Sequence, residues 1–399
     1  SYGTGTVSGE DYVGGLMGNS TDNGTVTDSY ATGMVTGNNY VGGLVGINEQ
    51  STIEHCYAAG AVDGESNTGG LIGADDDGTV TDSVYDSTTS GQDDEGKGQP
   101  KTTAKMKDIT TFTDAGWDID DAGDTGKTWR LYDGDTYPLL RTFMTPATVE
   151  SVENDSKTYD AQTYSGGNGY NIAEEVDDEL IDYGGEAQGA VEAGQYSLTI
   201  YSVQQGYDLT GGRTAELTID KQDLTLSNFV ADSKNYDADA TVTGDGFDDD
   251  RIEGDDIVFS YDVAFEDANA GEGKDVLFSN IALSGGGDAD NYSLVTERGT
   301  AQADIHPKPI TIIPTADQSK TYGEDDPAFE FTNEATLLGD DEFDGALGRE
   351  DGEDVAEYAF TLGSLTAGNN YALSITDEPE TFEITQADAD ISVTGVSVT

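Results

Sequence analysis

Apolar and polar positions in the first 86 residues repeat over a long step rather than a helical one. A tyrosine-led run is written three times, as Tyr2 to Gly18 (YGTGTVSGEDYVGGLMG), Tyr30 to Gly46 (YATGMVTGNNYVGGLVG) and Tyr57 to Gly73 (YAAGAVDGESNTGGLIG), at steps of 28 and 27 residues. β-branched residues and glycine dominate, so the period predicts a coiled β-solenoid with one repeat per rung. Superposing the rungs puts Val7 over Val35 and Val62, Leu16 over Leu44 and Leu71, and Val26 over Ile53 and Val80, three columns that should face the inside of the coil. A single rung has nothing to bury such a column against, so the repeats must stack at about 4.8 Å, the spacing of hydrogen-bonded strands. The pairs Gly14-Gly15, Gly42-Gly43 and Gly69-Gly70 read as corners that need positive φ or a tight bend.

Past Asp86 the pattern changes. A Gly, Ser and Asp linker (87–98) leads to Met106, Ile109 and Phe112, whose spacing predicts one short helix. Both tryptophans follow, Trp117 and Trp129; large aromatics beside an open solenoid end predict a cap over exposed columns and strand edges. From Ala147 onward, alternating runs such as Thr214 to Ile219 and Asp256 to Val263, separated by Gly and Asp turns, predict small antiparallel β modules in series. Lys157-Thr-Tyr-Asp-Ala161, Lys234-Asn-Tyr-Asp-Ala238 and Lys320-Thr-Tyr-Gly-Glu324 open three of them, 77 and 86 residues apart. Tyr196-Ser-Leu198, Asn291-Tyr-Ser-Leu294 and Asn370-Tyr-Ala-Leu373 precede their final strands, which begin at Leu217, Ala303 and Phe382. The predicted fold is all-β: a short solenoid of about three rungs, a mixed cap with one short helix, then three small antiparallel modules in tandem. The junction His306-Pro307-Lys308-Pro309 should stiffen the array, since proline fixes φ and extends its neighbour.

Charge then excludes whole classes of partner. The formal net charge is -63, from 80 acids against 17 bases, spread along the chain. Such a surface repels nucleic acid and anionic lipid, which need Lys and Arg to neutralise phosphate. It also repels itself at low salt, whereas at about 1 M salt the screening length falls to roughly 3 Å; a saline habitat is expected. Only 11 lysines are present, yet Lys157, Lys234 and Lys320 recur at one module position and Lys221 and Lys308 at another, which predicts structural pairing with carboxylates. Cys56 is the only cysteine, so neither a disulfide framework nor a thiolate zinc site is possible. No stretch approaches the roughly 18 apolar residues of a membrane span. The chain starts at the beginning of a rung, the expectation for a piece of something longer.

These residues carry a family resemblance. The first 86 resemble GLUG-motif repeats, whose GGLVG core is Gly42 to Gly46, and the region of Met106, Gly116-Trp117-Asp118 and Tyr137-Pro138-Leu139 is similar to the closing region that often follows such repeats. Lys320 to Pro327, with Ala346 to Glu350 and Gly368 to Tyr371, resembles the MBG pattern. Asn235-Tyr236-Asp237 with Asp290-Asn291-Tyr292 resembles the YDG type, with Ala238 in place of its usual glycine; the first module matches less well. The organisation expected is a GLUG-type solenoid (1–86), linker and cap (87–146), an MBG-like module (147–222), a YDG-like module (223–309), an MBG-like module (310–387) and an orphan strand or further module (388–399). Such modules occur in very large secreted or surface proteins resembling filamentous haemagglutinins, and the resemblance implies no catalytic residues.

Motifs for chemistry are weak. Gly126-Lys127-Thr128 lacks the glycine a phosphate loop needs at Asp121, and Asp124-Thr125-Gly126 has no second copy to share a proton. His55 and Cys56, adjacent on a presumed strand, should point to opposite faces. No cofactor is required. Calcium is the cation that Asp75, Asp76, Asp77, Asp248, Asp249, Asp250, Asp255 and Asp256 would take, since hard cations want clustered oxygens, although the EF-hand spacing is missing. Asp118, Asp120 and Asp121 form another dense group, and Asn19, Asn23, Asn154 and Asn291 stand in glycosylation sequons. Ile391 with Val393 and Val396 with Val398 alternate like a strand without a partner, an assembly edge. The expected function is a non-enzymatic extracellular stalk or fibre segment of a surface adhesin, with self-association, other surface proteins or glycans as partners. The alternatives are a subunit polymerising through terminal strands into a filament, and a glycan-binding or glycan-active solenoid.

Overall fold

The computed structural model describes residues 1–95, 97–388 and 395, which fall into two compact units, Ser1–Lys221 and Gln222–Thr399. The first unit opens with a three-sided coil whose faces are parallel sheets. One face stacks Tyr2–Gly3, Thr25–Ala31 and Thr52–Ala58; the second stacks Val7–Ser8 and Asp11–Gly14 on Val35–Gly42 and Val62–Gly69; the third stacks Met17–Ser20, Val45–Glu49 and Ile72–Asp76. The register is that of the repeat. Tyr2 pairs with Tyr30 and Tyr30 with Tyr57, Val26 with Ile53 and Ile53 with Val80, Val7 with Val35 and Val35 with Val62. Leu44 and Leu71 sit with Val26, Ile53 and Cys56 in one buried core, against which Leu16 packs. The Val7, Val35 and Val62 column instead packs with Val13 and Val41 in a smaller cluster of its own.

The corners differ from expectation in an instructive way. None of the Gly-Gly pairs has positive φ; that conformation belongs to three columns of larger residues, Tyr12, Tyr40 and Asn67, then Asn23, Gln50 and Asp77, then Asp28, His55 and Asp82. The glycines serve close approach. A Cβ on Gly14, Gly42 or Gly69 would lie 2.1, 1.9 or 2.0 Å from the carbonyl oxygen of Met17, Val45 or Ile72, far inside contact distance. Positive φ at His55 also breaks strand alternation, and so Cys56 enters the core directly beside it.

The coil ends by a change of residue rather than of backbone. In the last turn Val84 takes the tyrosine position and Tyr85 the position of Ala31 and Ala58. The wide Tyr85 ring therefore fills the interior, where a Cβ on Gly70 would lie 2.1 Å from it. The Asp94 carboxylate accepts from Gly70 N at 3.0 Å, while Lys97 Nζ donates to the carbonyls of Thr68 (3.3 Å) and Gly73 (2.8 Å) on the outermost strands. A lysine on a sheet edge is a standard defence against pairing with another chain.

The predicted single helix is two, Thr103–Met106 and Ile109–Thr113. Asp108 divides them, because its carboxylate accepts from Thr110 N at 3.0 Å and starts a new turn. A third, Ser87–Ser90, lies where a linker was expected, capped by Asp86. The cap aromatics cover the flank of the coil: Trp117, Trp129, Phe112 and Met106 pack on the tyrosine column at Tyr30 and Tyr57. Each indole N–H is satisfied, Trp129 Nε1 by Asp28 Oδ1 at 3.0 Å and Trp117 Nε1 by Asp82 O at 2.8 Å. Burial on all sides makes both tryptophans core residues and not ligand platforms.

The three modules are all-β, but their sheets are mixed rather than antiparallel. In each, the first strand runs parallel to the penultimate one: Thr145–Val152 with Tyr207–Gly211, Gln222–Leu224 with Tyr292–Leu294, and Lys308–Pro314 with Tyr371–Ile375. The second strand, counting Gln222–Leu224 and Leu226–Val230 of the middle module together as its first, runs parallel to the last: Asp155–Thr158 with Thr214–Asp220, Lys234–Asn235 with Gly299–His306, and Ser319–Thr321 with Thr381–Thr385. Antiparallel partners complete the second sheet on the far side of the last strand. Alternation reports which face is buried, not strand direction, which is why these pairings escape a local reading.

Modules two and three are not independent domains. One buried core runs from Leu226 and Tyr236 to Phe382 and Ile384. The hydroxyls of Tyr236 and Tyr371 both donate to Asp341 Oδ2, at 3.0 and 2.8 Å, and a single residue, Pro307, separates the last strand of one module from the first of the next.

Candidate functional site

The repeated lysine motif is a clasp that locks each second strand. The N–H of its tyrosine donates to the last strand in all three modules, Tyr159 to Asp220 O (2.8 Å), Tyr236 to His306 O (2.8 Å) and Tyr322 to Thr385 O (2.9 Å). Two residues beyond the tyrosine the chain turns left-handed, at Ala161 (φ 57°), Ala238 (φ 64°) and, one residue after its tyrosine, Gly323 (φ 90°). Positive φ accounts for a preference for glycine at that turn. Lys157 pairs with Asp160, and Lys234 with Asp237 at 2.8 Å. Lys320 is the most enclosed: its ammonium lies 2.7 Å from Asp326 and 2.6 Å from Glu353. Arg349 grips Asp326 with two nitrogens at 2.8 and 3.0 Å and thereby holds that carboxyl below the usual carboxylate range, with Lys320 adding to the effect. Lys221 and Lys308, by contrast, form no ion pair among the described residues.

A tyrosine also closes each module. Tyr207, Tyr292 and Tyr371 stand at the start of the penultimate strands, and their hydroxyls accept from Asp177 N (2.8 Å), Ile252 N (2.9 Å) and Leu338 N (2.7 Å). Tyr196, which the sequence placed in this role, lies instead on Gly194–Ser202, an antiparallel neighbour of the last strand. The true counterpart was legible as Gly206-Tyr207-Asp208-Leu209, a glycine-led tyrosine before a strand.

Between cap and first module lies an ionic cluster with no signature in the chain's motifs. Three of the chain's six arginines meet there. Arg130, 0% exposed, lies with its guanidinium carbon 4.2 Å from the centre of the Tyr132 ring, its Nη1 3.3 Å from Asp121 Oδ1 and its Nε 3.5 Å from Asp208 Oδ1. Arg141 pairs with Asp208 and with Asp120 at 2.8 Å, and Arg213 with Asp121 at 2.8 Å. Burial raises the Asp121 carboxyl against the pull of Arg213 and Arg130. The Tyr132 hydroxyl donates to Tyr207 O at 2.6 Å and accepts from Leu209 N at 3.0 Å, tying cap to module.

The acidic groups are engaged one by one. Asp75 accepts from Asn48 at 2.7 Å, Asp76 ends a strand, and Asp77 forms a left-handed corner. Asp248 accepts from Asn228 at 2.7 Å, Asp249 is chelated by Arg251, and Asp250 accepts from Thr225 N at 2.7 Å. Asp255 accepts from the Tyr292 hydroxyl at 2.6 Å and Asp256 from Gly287 N at 3.2 Å. Asp118 pairs with Lys127 at 2.8 Å. Among the described residues no three His, Cys, Asp or Glu side chains converge to hold a metal ion. His55 lies edge-on to Trp117 at 5.8 Å, and burial pushes the Cys56 thiol up to about 12. Asn291 is buried, which removes it as a glycan acceptor. Ile391, Val393, Val396 and Val398 lie outside the described residues.

Comparison with known proteins matches parts of this architecture. Residues 37–63 match the family model of the GLUG motif, residues 219–301 that of the YDG domain, and residues 310–381 that of the MBG domain of YGX type. These occur in the order the sequence predicts, and such modules are typical of adhesin-like, non-enzymatic repeat proteins. A protein of Evansella cellulosilytica whose name describes it as a Gly-rich membrane protein is 63% identical over 38 residues, 10% of this chain and 4% of that relative. The chain thus spans a small fraction of the curated relative it matches. Drosophila N-cadherin EC1-3 aligns at 10% identity over 60% of this chain and 99% of that one, with a TM-score of 0.21, too low to carry an argument.

Proposed function

We propose that this chain is a non-enzymatic stalk segment of a large extracellular adhesin, made by a microbe of a saline habitat and serving attachment or matrix formation. One observation carries the reading: three modules of one strand order follow one another, each closed by the same tyrosine amide on its last strand, and two match families typical of adhesin-like proteins. Repetition of a closed architecture supplies length and not chemistry. Its partners on this reading are other surface proteins, glycans or further copies of the chain. Antibody labelling of intact cells tests the surface assignment.

The saline habitat rests on the net charge of -63. Acids outnumber bases everywhere, and the few bases are mostly spent on specific clasps, so repulsion among the remaining carboxylates is relieved only by screening. Melting followed by circular dichroism should therefore shift upward by many degrees between about 0.05 and 2 M salt. A melting temperature indifferent to salt over that range would remove the saline assignment.

A further inference from the structure

We propose that the parallel pairing of second and last strands makes each module a shear clamp that bears tension along the chain. The inference rests on the stalk reading and adds a mechanical function to it. In a parallel pair the end by which the chain enters one strand and the end by which it leaves the other lie at opposite ends of the ladder. Tension then slides the strands past one another and loads all ladder bonds together. An antiparallel pair of terminal strands would place both ends side by side, and the same tension would open the bonds one at a time.

Every module has the tension-bearing arrangement. Asp155 pairs with Leu217 through to Thr158 with Asp220; Lys234 with Ile305 and Asn235 with His306; Ser319 with Glu383 through to Thr321 with Thr385. The tyrosine amides extend each ladder by one bond at the far end. In the third module Lys320 anchors the loaded strand to Asp326 and Glu353, neither of which belongs to the sliding pair. Pro307, the single residue between modules two and three, ties the last strand of one directly to the first strand of the next, which is itself held in a parallel pair with Tyr371–Ile375, so load passes to the second strand only through another sheared ladder. The clasps thereby gain a mechanical purpose.

Single-molecule pulling on the full chain separates this from a fold that merely happens to pair this way. Handles on Ala316→Cys and Gln386→Cys load the third module's pair from opposite ends; handles on Tyr322→Cys and Gln386→Cys load the same pair from one end. All three positions are exposed or next to a strand end, and Tyr322→Cys retains the amide bonded to Thr385. The native Cys56 is buried with a raised thiol pKa and does not compete for handles. At one pulling speed the first geometry should rupture at a severalfold higher force, while both variants unfold in urea at the same midpoint. Equal forces, or a higher force in the second geometry, would overturn the clamp. That outcome leaves the stalk reading standing, because surface labelling decides it separately.

Discussion

Asp208→Ala should destabilise the first unit by about 3–5 kcal/mol, the usual cost of removing one partner from a buried ion pair. Asp208 is buried and answers two arginines at once, Arg130 on one oxygen and Arg141 on the other. Without it Arg130, whose nitrogens make no well-aligned hydrogen bond to any side chain or carbonyl, keeps only Asp121 and the face of Tyr132. Asp208 N–H and C=O lie in the strand Tyr207–Gly211, so the loss falls on the seam between cap and first module. Both tryptophans of the chain are in the first unit, which makes their fluorescence a selective probe of it in urea. Replacing the pair together, with Arg130→Met and Asp208→Leu, should cost much less than the single change, since it leaves no charge unanswered. A loss below about 1 kcal/mol for Asp208→Ala would show that the cluster is solvated and not a structural joint.

Leu44→Ala should cost about 2–5 kcal/mol and Leu16→Ala clearly less. Leu44 has a rung on each side, donating its N–H to Leu71 O at 2.8 Å and accepting from Leu16 N at 2.9 Å, and it is wholly buried; Leu16 is only half-buried. Leu44 shares its buried cluster with Ile53 and Ala58, whose strand is laddered on both sides, so little collapse can fill a cavity there. Equal and small effects, read by the same fluorescence transition, would mean that the leucines do not share a core.

How much of this was legible follows from what a repeat does and does not encode. The coil could be read rung by rung because the pairing partner of Tyr30 or Ile53 is its own copy one repeat away. Its corners could not, because positive φ falls on Tyr40 and His55 and not on the neighbouring glycines, which local preference would have chosen. The second-strand motif was found by its lysine and tyrosine, yet its direction relative to the last strand lay hidden in contacts more than sixty residues apart, such as Lys157 with Ile219. Tyr207 was missed because Tyr196-Ser-Leu198 offered a closer match in letters, although it sits on a different strand. The arginine cluster left no trace because Arg130, Arg141 and Arg213 are scattered through the sequence and only the docking of cap on module unites them with Asp208. The acid-rich stretches suggested cation sites by density alone, and sequence could not show that Asp250, Asp249 and Asp255 answer a backbone amide, an arginine and a tyrosine hydroxyl.

Surface display is the claim on which the rest depends, and one measurement addresses it directly. An antibody raised against the folded chain, applied to intact cells of the organism that makes it, should label them as strongly as it labels permeabilised cells, and mild external protease should abolish that label. Label that appears only after permeabilisation, and survives external protease, would contradict the account.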